Sequence, residues 1–279
     1  MIALDTPPLE RSTRQPSTLP PYLSPSGIKS YLTCPAKYYY EKVLRLEVPP
    51  SPALFLGRMV HSALAAFHRS QMRKDPMDPE QVRSHYRSEF LSSEAEDAPG
   101  FKDETGRDKV FDTGERMLDA YMESDLSRDK RQSLGVEIHL EEEITPGSPP
   151  LLGILDIVKK DRGQVVVADI KTCASTPDLR NEGWLNEIQL VSYALLLQRA
   201  TGWRVTGTEL WFLVKTRAPK VIRHKLPPLT RTQFDRFHAL YDRVVEGIAS
   251  GDFSPRPSFT CRFCDFRNRC EQWKGGLPS

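Results

Sequence analysis

The sequence predicts an α/β fold in which a mixed central sheet is flanked by helices. Segments with helical spacing fill the first part of the chain, strand-like runs begin near residue 134, and a helix separates the third strand from the fourth. With 279 residues, 39% of them hydrophobic and 27% charged, the chain is long enough to bury a large core. Strands interrupted by helices indicate a sheet with helices on its faces.

The part of the chain before the strands is predicted to be mainly helical. Residues 1–20 are rich in Pro, Ser and Thr without hydrophobic periodicity, which is typical of a disordered leader. Ser26 is the predicted N-cap of the first helix, and Pro35 suits the first turn of a second. Helices are expected over residues 54–72, 78–92 and 108–126, and a polar mobile loop over 94–106.

The strand-like segments begin with VEIHLEEE, which alternates between apolar and polar residues. GILDIVKK and QVVVADIKT follow as the second and third strands, joined by a turn at 161–163. The run VVVA is apolar on both faces, which is typical of a central strand covered on both sides. A helix from Trp184 to Ala200, strands in VTGTELWFLVKT and KVIRHKLPP, and a helix over 230–249 complete the predicted order.

Charge and cysteine content restrict the class of protein. The net charge is only +2, so any nucleic-acid binding would depend on local patches. No segment approaches the roughly 18 uninterrupted apolar residues of a membrane span, and the N-terminus does not resemble a secretory signal. These features predict a cytoplasmic protein. In that reducing compartment the five cysteines, an odd number, favour metal ligation over disulfides.

Asp156 and the run Asp169-Ile170-Lys171 are the candidate catalytic residues of the sheet. Asp156 ends the motif GILD on the second strand, and the run lies on the third. Side chains alternate along a strand, so Asp169 and Lys171 share one face while Ile170 points into the core. Adjacent strands lie about 4.8 Å apart, so the two carboxylates can meet if the register allows. Converging carboxylates favour a hard divalent cation, and a neighbouring lysine can orient an attacking water.

These motifs resemble the core of the PD-(D/E)XK nuclease superfamily, and three further features are similar to its RecB-like branch. His61 lies in LGRMVHSAL, where that branch has a metal-binding histidine. Glu137 in VEIHLEEE matches the acidic residue of its first core strand. Gln189 and Tyr193, in NEIQLVSYALLL, match its Q-x-x-x-Y helix, and their spacing places them on one helix face.

The resemblance implies a restriction-endonuclease-like core and a nuclease that depends on Mg²⁺ or Mn²⁺. The implied metal ligands are His61, Asp156, Asp169 and the backbone carbonyl of Ile170. The other implied roles are the positioning of the nucleophilic water by Lys171, an indirect contact to metal or water by Glu137, and support of the site or of the DNA backbone by Gln189 and Tyr193.

Each of these residues also has an ordinary structural explanation when it is taken alone. A D-x-K pair on a strand is usually a solvated edge, and a lone helical histidine more often packs than binds a metal. Gln189 and Tyr193 are typical of any half-buried helix. The five features nevertheless occur in the order of the family, each on the expected element, and this conjunction favours the nuclease.

Four of the cysteines form a second candidate site. Cys261, Cys264 and Cys270 are close together in the tail, whereas Cys34 lies far upstream. A zinc ribbon usually has two close pairs of ligands. The one-plus-three layout resembles the iron–sulfur nucleases of the AddB type and the CRISPR-associated RecB-like nuclease, which implies a [4Fe–4S] cluster that clips the two ends together. Zinc on the same ligands and free thiols are the alternatives, and Cys173 is expected to be a buried strand-end residue.

Basic and aromatic residues are interleaved around the tail cysteines. Such a mixture is typical of surfaces that contact a nucleic-acid strand, although a solvated basic rim is the alternative explanation. The candidate DNA-binding residues are Arg262, Arg267 and Arg269.

The expected protein is therefore a metal-dependent DNA nuclease, acting as an exonuclease on single-stranded ends in recombination or repair, without a membrane partner. Alternatives are a nuclease subunit that serves a separate helicase or recombination protein, a component of CRISPR adaptation, or a non-catalytic DNA-binding or redox-sensing module. No G-x-x-x-x-G-K-[ST] loop is present, so any motor would be another chain. The expected divisions are a leader (1–20), a helical region (21–133), the nuclease core (134–250) and the iron–sulfur tail (251–279).

Overall fold

A five-stranded sheet forms the centre of the protein, whose computed structural model describes residues 19–273. The strands lie side by side in chain order, and every neighbouring pair is antiparallel except the third and fourth, which are parallel. The mixed sheet predicted from the sequence is therefore confirmed. The strands are β1 (Gln132–Glu142), β2 (Leu151–Asp161), β3 (Gln164–Cys173), β4 (Val205–Val214) and β5 (Lys220–Leu226).

The parallel pair β3–β4 requires a crossover, which two helices supply. These are α6 (Leu179–Leu185) and α7 (Glu187–Thr201). The single helix predicted from Trp184 to Ala200 was wrong at its start, because Trp184 belongs to α6 and the helix is interrupted at Asn186. The predicted end is close to the observed one, where Gly202 adopts φ +73° as the C-cap.

Helices before the sheet extend further than the sequence predicted. The predicted N-cap Ser26 was wrong, because the Ser24 hydroxyl accepts the Gly27 N–H at 3.1 Å. The predicted 94–106 loop is shorter than expected, because residues 94–97 and 104–106 belong to the helices on its two sides. The elements are α1 (Pro25–Thr33), α2 (Pro35–Tyr38), a π-helical turn (Tyr39–Val43), α3 (Pro52–Met72), α4 (Pro79–Asp97) and α5 (Glu104–Glu123). The predicted leader 1–20 lies outside the described residues except for its last two.

The two faces of the sheet carry separate hydrophobic cores. On one face, α1, α7 and the later helix α8 (Arg231–Ala249) pack against β2 and β3, with Tyr241, Val191 and Leu155 fully buried. On the other face, α3, α4 and α5 pack against the same sheet, with Phe55 and Trp211 fully buried. Covered faces explain why the VVVA run of β3 is apolar on both sides.

The tail after α8 returns to the first helices. Phe253 packs 4.7 Å from the ring of Tyr39, and Phe266 lies 5.3 Å from the ring of Tyr40. Two short helices follow, a 3-10 turn (Phe259–Phe263) that contains Cys261 and α9 (Arg267–Glu271) that contains Cys270, and Cys264 lies between them. The two ends of the described chain thus meet. Within residues 19–273, no helix has the length and apolar character needed to cross a membrane.

Candidate active site

The candidate catalytic residues meet where β2 and β3 separate. The ladder between these strands ends at the pair Ile157–Ala168. Beyond this pair, the Ile170 N–H donates a hydrogen bond to the side-chain Oδ2 of Asp156 at 2.7 Å. The Asp156 side chain therefore replaces part of the ladder, and its carboxylate is held beside Asp169 of the neighbouring strand.

A chain of hydrogen bonds links Asp169 to α7. Lys171 Nζ lies 2.9 Å from Asp169 Oδ2 and donates to Gln189 Oε1 at 2.5 Å. The amide of Gln189 donates to Asp169 Oδ1 at 2.8 Å and lies 2.7 Å from Tyr193 Oη. Asp169 and Lys171 share a face of β3, and Ile170 is buried in the opposite core, as alternation along a strand requires.

A narrow crevice opens between α3 and the ends of β1 and β2. Its walls include His61, Glu137, Asp156 and Ile170, and it encloses about 10 Å³. This volume is close to that of one water molecule or one ion. Nδ1 of His61 lies 3.6 Å from Asp156 Oδ2. The structure therefore brings the predicted histidine of α3 to the carboxylates of the sheet.

Burial dominates the electrostatics of this site. It raises the pKa of Asp156 well above its ordinary value, and the charge of Asp169 raises it further. Burial also lowers the pKa of His61, which favours the neutral imidazole that can bind a metal. The pKa of Tyr193 is raised by burial and then by the two carboxylates, so its hydroxyl stays protonated.

The donor set fits a hard divalent cation. Asp169 Oδ2 is buried and accepts no hydrogen bond from residues 19–273, although the Lys171 ammonium is nearby. In the same part of the chain, no three His, Cys, Asp or Glu side chains already converge on one point. The carboxylates instead hold protein donors, among them the Ile170 N–H on Asp156. A buried carboxylate oxygen that is ion-paired with Lys171 but accepts no hydrogen bond, beside an ion-sized crevice, is an arrangement that a cation could complete.

Glu137 lies in the middle of β1, next to the crevice, with a left-handed backbone (φ +47°). The carboxylate of Glu137 forms an ion pair with Arg69 of α3. Sequence reasoning missed Arg69. The signal that could have found it is its position eight residues after His61, which places both on one face of α3.

The sequence matches a known protein family over most of its length. A model of the PD-(D/E)XK nuclease superfamily matches residues 22–271. The chain belongs to this superfamily. It is therefore a nuclease, a hydrolase of phosphodiester bonds, and the resemblance found in its motifs is confirmed at that level.

A solved structure of another protein shares the fold of this nuclease. A crystal structure of a candidate exonuclease from Eubacterium rectale is 17% identical, with a TM-score of 0.58, over 92% of this chain and 90% of that one. The structure of SSO0001 is 18% identical over 85% of this chain and 94% of that one, but its TM-score of 0.37 is too low to show a shared fold. No curated protein matches the chain.

The nuclease chain also brings its four candidate cluster ligands together. Cys34, Cys261, Cys264 and Cys270 all line one cavity of about 780 Å³ between α2 and the tail. Their thiols line its walls and do not yet converge on a single point. The Cys34 sulfur accepts the Arg256 N–H at 3.5 Å, and the Cys261 sulfur accepts the Ser258 N–H at 3.3 Å.

These thiols are close enough to influence one another. Burial raises the pKa of Cys270, and the negative charges of Cys34, Cys264 and Cys261 raise it further. Four thiolates facing one cavity would repel each other, and a positively charged iron or zinc centre would relieve that repulsion. Backbone N–H groups that point at the sulfurs also suit such a centre. The donor set therefore fits a metal centre with four thiolate ligands.

Cys173 lies apart from the other cysteines. Its thiol is half-buried at the end of β3, 3.9 Å from the carbonyl of Leu213, and it packs in a small cluster against β4. It does not line the cysteine cavity. This placement agrees with the prediction that Cys173 is a strand-end residue, although its side chain is less buried than expected.

The three tail arginines are exposed beside the cysteine cavity. The Arg262 guanidinium stacks 4.4 Å from the ring centre of Phe259, and Phe259 and Phe263 are 70% and 75% exposed. Arg267 is paired with Glu271 at 2.8 Å. An exposed basic and aromatic surface therefore surrounds the entrance of the cavity.

Proposed function

We propose that this nuclease is a DNA exonuclease that acts on single-stranded ends in recombination or repair. The observation that carries the proposal is the convergence of Asp156, Asp169 and Lys171 beside the ion-sized crevice under His61. Neighbouring carboxylates, a neutral imidazole and a lysine are the groups that a cation-dependent phosphodiester hydrolysis requires.

His61, Asp156 and Asp169, with the backbone carbonyl of Ile170, would hold Mg²⁺ or Mn²⁺. A cation held there supplies Lewis-acid stabilisation of the charge that develops on the scissile phosphate. Its ligands would be oxygen and imidazole nitrogen atoms, which both metals accept. The buried Asp169 oxygen without a hydrogen bond supports this assignment.

Lys171 would orient the attacking water and offset negative charge in the transition state. Its ammonium is fixed between Asp169 and the Gln189 carbonyl, so little reorganisation is needed when DNA binds. Gln189 and Tyr193 would hold the side chains of Lys171 and Asp169 in position by hydrogen bonds. Glu137 would act from the rim of the crevice, through the metal or a water molecule.

The four cysteines would bind a [4Fe–4S] cluster, with zinc as the alternative occupant. The cluster would join α2 to the tail and so clip the two ends of the chain across the nuclease core. The common cavity supports this role, because the four ligands come from both ends of the chain. Arg262, Arg267 and Arg269 would contact the backbone of the strand, while exposed aromatic rings offer stacking surfaces for its bases.

The test is degradation of end-labelled single-stranded DNA with Mn²⁺ or with EDTA, using protein prepared without oxygen. Lys171→Ala is compared with the wild type, and Lys160→Ala, an exposed lysine of the same sheet, is the matched control. Cleavage by the wild type and Lys160→Ala only, and only with Mn²⁺, would support the proposal. A duplex of the same sequence tests strand preference, and the labelled end reports polarity.

The opposite result is equally informative. If no variant cuts but all bind DNA, the chain is a non-catalytic DNA-binding module or needs a separate partner such as a helicase. Asp169→Ala then distinguishes these cases, because in a module without turnover it would behave like the wild type with and without the partner.

A further inference from the structure

Arg69 of α3 forms an ion pair with Glu137, which lines the crevice. His61, Ala65 and Arg69 follow each other at intervals of four residues on α3, so they lie on one helix face. His61 and Ala65 line the crevice together with Glu137. The guanidinium of Arg69 pairs with the Glu137 carboxylate, and the two side chains remain 46% and 31% exposed.

The backbone of Glu137 is unusual for a strand. It adopts φ +47°, although its neighbours Val136 and Ile138 pair regularly with β2. A non-glycine residue in the left-handed region is strained, and such residues are concentrated at functional sites. In this register Glu137 stands opposite Asp156, so a second carboxylate is available at the crevice but is neutralised by Arg69.

We propose that Arg69 is a substrate-binding residue that exchanges partners during the reaction. Without a metal it is the counter-ion of Glu137. When a divalent cation enters the crevice, Glu137 turns to it, and the freed guanidinium binds a phosphate of the DNA strand. The inference rests on the proposed function, since it assigns to Arg69 a role at the same site.

Two consequences follow from this exchange. Arg69 and the cation compete for Glu137, so the ion pair weakens metal binding as long as DNA is absent. Because coupling between two ligands is reciprocal, DNA that captures Arg69 must strengthen metal binding, and the metal must strengthen DNA binding. Arginine suits this role, since its planar fork binds a carboxylate and a phosphate equally well.

The experiment measures Mn²⁺ binding by calorimetry in the absence of DNA. Arg69→Met removes the charge but keeps the aliphatic stem. Arg58→Met is the matched control, because Arg58 lies on the same helix, is 45% exposed and pairs with Asp97 away from the crevice. We expect Arg69→Met to bind Mn²⁺ about two- to fivefold more tightly, the range that a half-exposed ion pair can supply. Glu137→Gln should bind it more weakly.

A second measurement follows DNA binding in a Lys171→Ala background, with Mn²⁺ and without it. Arg69→Met should weaken binding only when Mn²⁺ is present, and it should reduce the salt dependence by about one phosphate contact. Unchanged or weaker Mn²⁺ binding by Arg69→Met, or an equal gain in Arg58→Met, would overturn the exchange. Because the calorimetry needs no cleavage, failure of the nuclease proposal would show in the cleavage assay and not here.

Discussion

At the scale of single residues, Gln189 has more partners in the site than any other side chain of α7. Its carbonyl oxygen accepts from Lys171 and its amide donates to Asp169, so it holds the two catalytic candidates of β3 at once. Both of these hydrogen bonds join α7 to β3. Its contribution should therefore appear as orientation of the site and not as DNA affinity.

We expect Gln189→Ala to lower kcat about 10- to 100-fold, with little change in KM. This is the range for residues that orient metal ligands by hydrogen bonds. Tyr193→Phe removes only the hydroxyl that Gln189 contacts, so its effect should be smaller. Single-turnover cleavage of end-labelled DNA measures both. A wild-type rate in Gln189→Ala would show that the lysine needs no such support.

Much of the site could be predicted because its residues are close in sequence or on regular elements. Asp169 and Lys171 share a face by strand alternation, and Gln189 and Tyr193 share one by helix periodicity. The pairing of Arg69 with Glu137 could not be predicted, since it joins a helix to a distant strand. The left-handed backbone of Glu137, with φ +47° inside a strand, could not be predicted from the sequence either.

At the scale of elements, close packing of α4 and α5 depends on a glycine. A Cβ at Gly114 of α5 would lie 2.0 Å from Tyr86 Oη and 2.3 Å from its Cζ. Tyr86 is fully buried on α4, and its hydroxyl donates to the Phe111 carbonyl at 3.1 Å. Because the Tyr86 ring is buried and hydrogen-bonded, it cannot move away from a Cβ at Gly114 without disturbing its neighbours.

In Gly114→Ala, overpacking should cost about 1–3 kcal/mol. The gain of about 1 kcal/mol in helix propensity offsets part of this cost, so the net loss of stability should reach about 2 kcal/mol. Gly100→Ala is the control, because a Cβ there meets no atom within 4 Å. Chemical denaturation followed by circular dichroism gives both values. Equal stability of the two variants would mean that α4 and α5 separate without cost.

The elements themselves could be predicted better than their limits. Every strand was found because its apolar pattern is strong, and the 161–163 turn was placed correctly between β2 and β3. The break at Asn186 was missed, since helical spacing continues through it. The chain is held there by a hydrogen bond from Asn186 Nδ2 to the Glu182 carbonyl at 2.9 Å, which no periodicity reveals.

At the scale of the whole molecule, a buried charge network ties the segment before β1 to β4 and β5. Arg131 donates to Asp129 at 2.7 Å and to Glu209 at 2.8 Å, and Arg223 donates to Asp129 at 2.9 Å. The two carboxylates are 5% and 3% exposed. Burial raises the pKa of both, but their bonds to Arg131 outweigh it, so each pKa lies below its ordinary value.

A carboxyl group whose pKa is lowered by folding stabilises the folded state above its unfolded pKa, and this contribution is lost as the pH falls. The ordinary values are 3.8 for Asp129 and 4.5 for Glu209. The free energy of unfolding should therefore decline as the pH drops below these values. Denaturant titrations should show a shallower decline in the double variant Asp129→Asn, Glu209→Gln. An identical decline would place the acid sensitivity elsewhere.

A metal centre in the cysteine cavity would link the two ends of the described chain. Cys34 reaches the cysteine cavity from the first helices, whereas the other three ligand candidates reach it from the tail. If a cluster occupies the cavity, Cys34→Ser should lower its iron and sulfide content and its visible absorbance. It should also lower the free energy of unfolding by about 2–5 kcal/mol, the range for removing a native crosslink.

Cys173→Ser is the control, because this half-buried cysteine lies outside the cavity, and the variant should keep both the cluster and the stability. Metal analysis that finds zinc in place of iron would retain the link and change its occupant, whereas a wild-type unfolding curve for Cys34→Ser would show that the ends are held by packing alone.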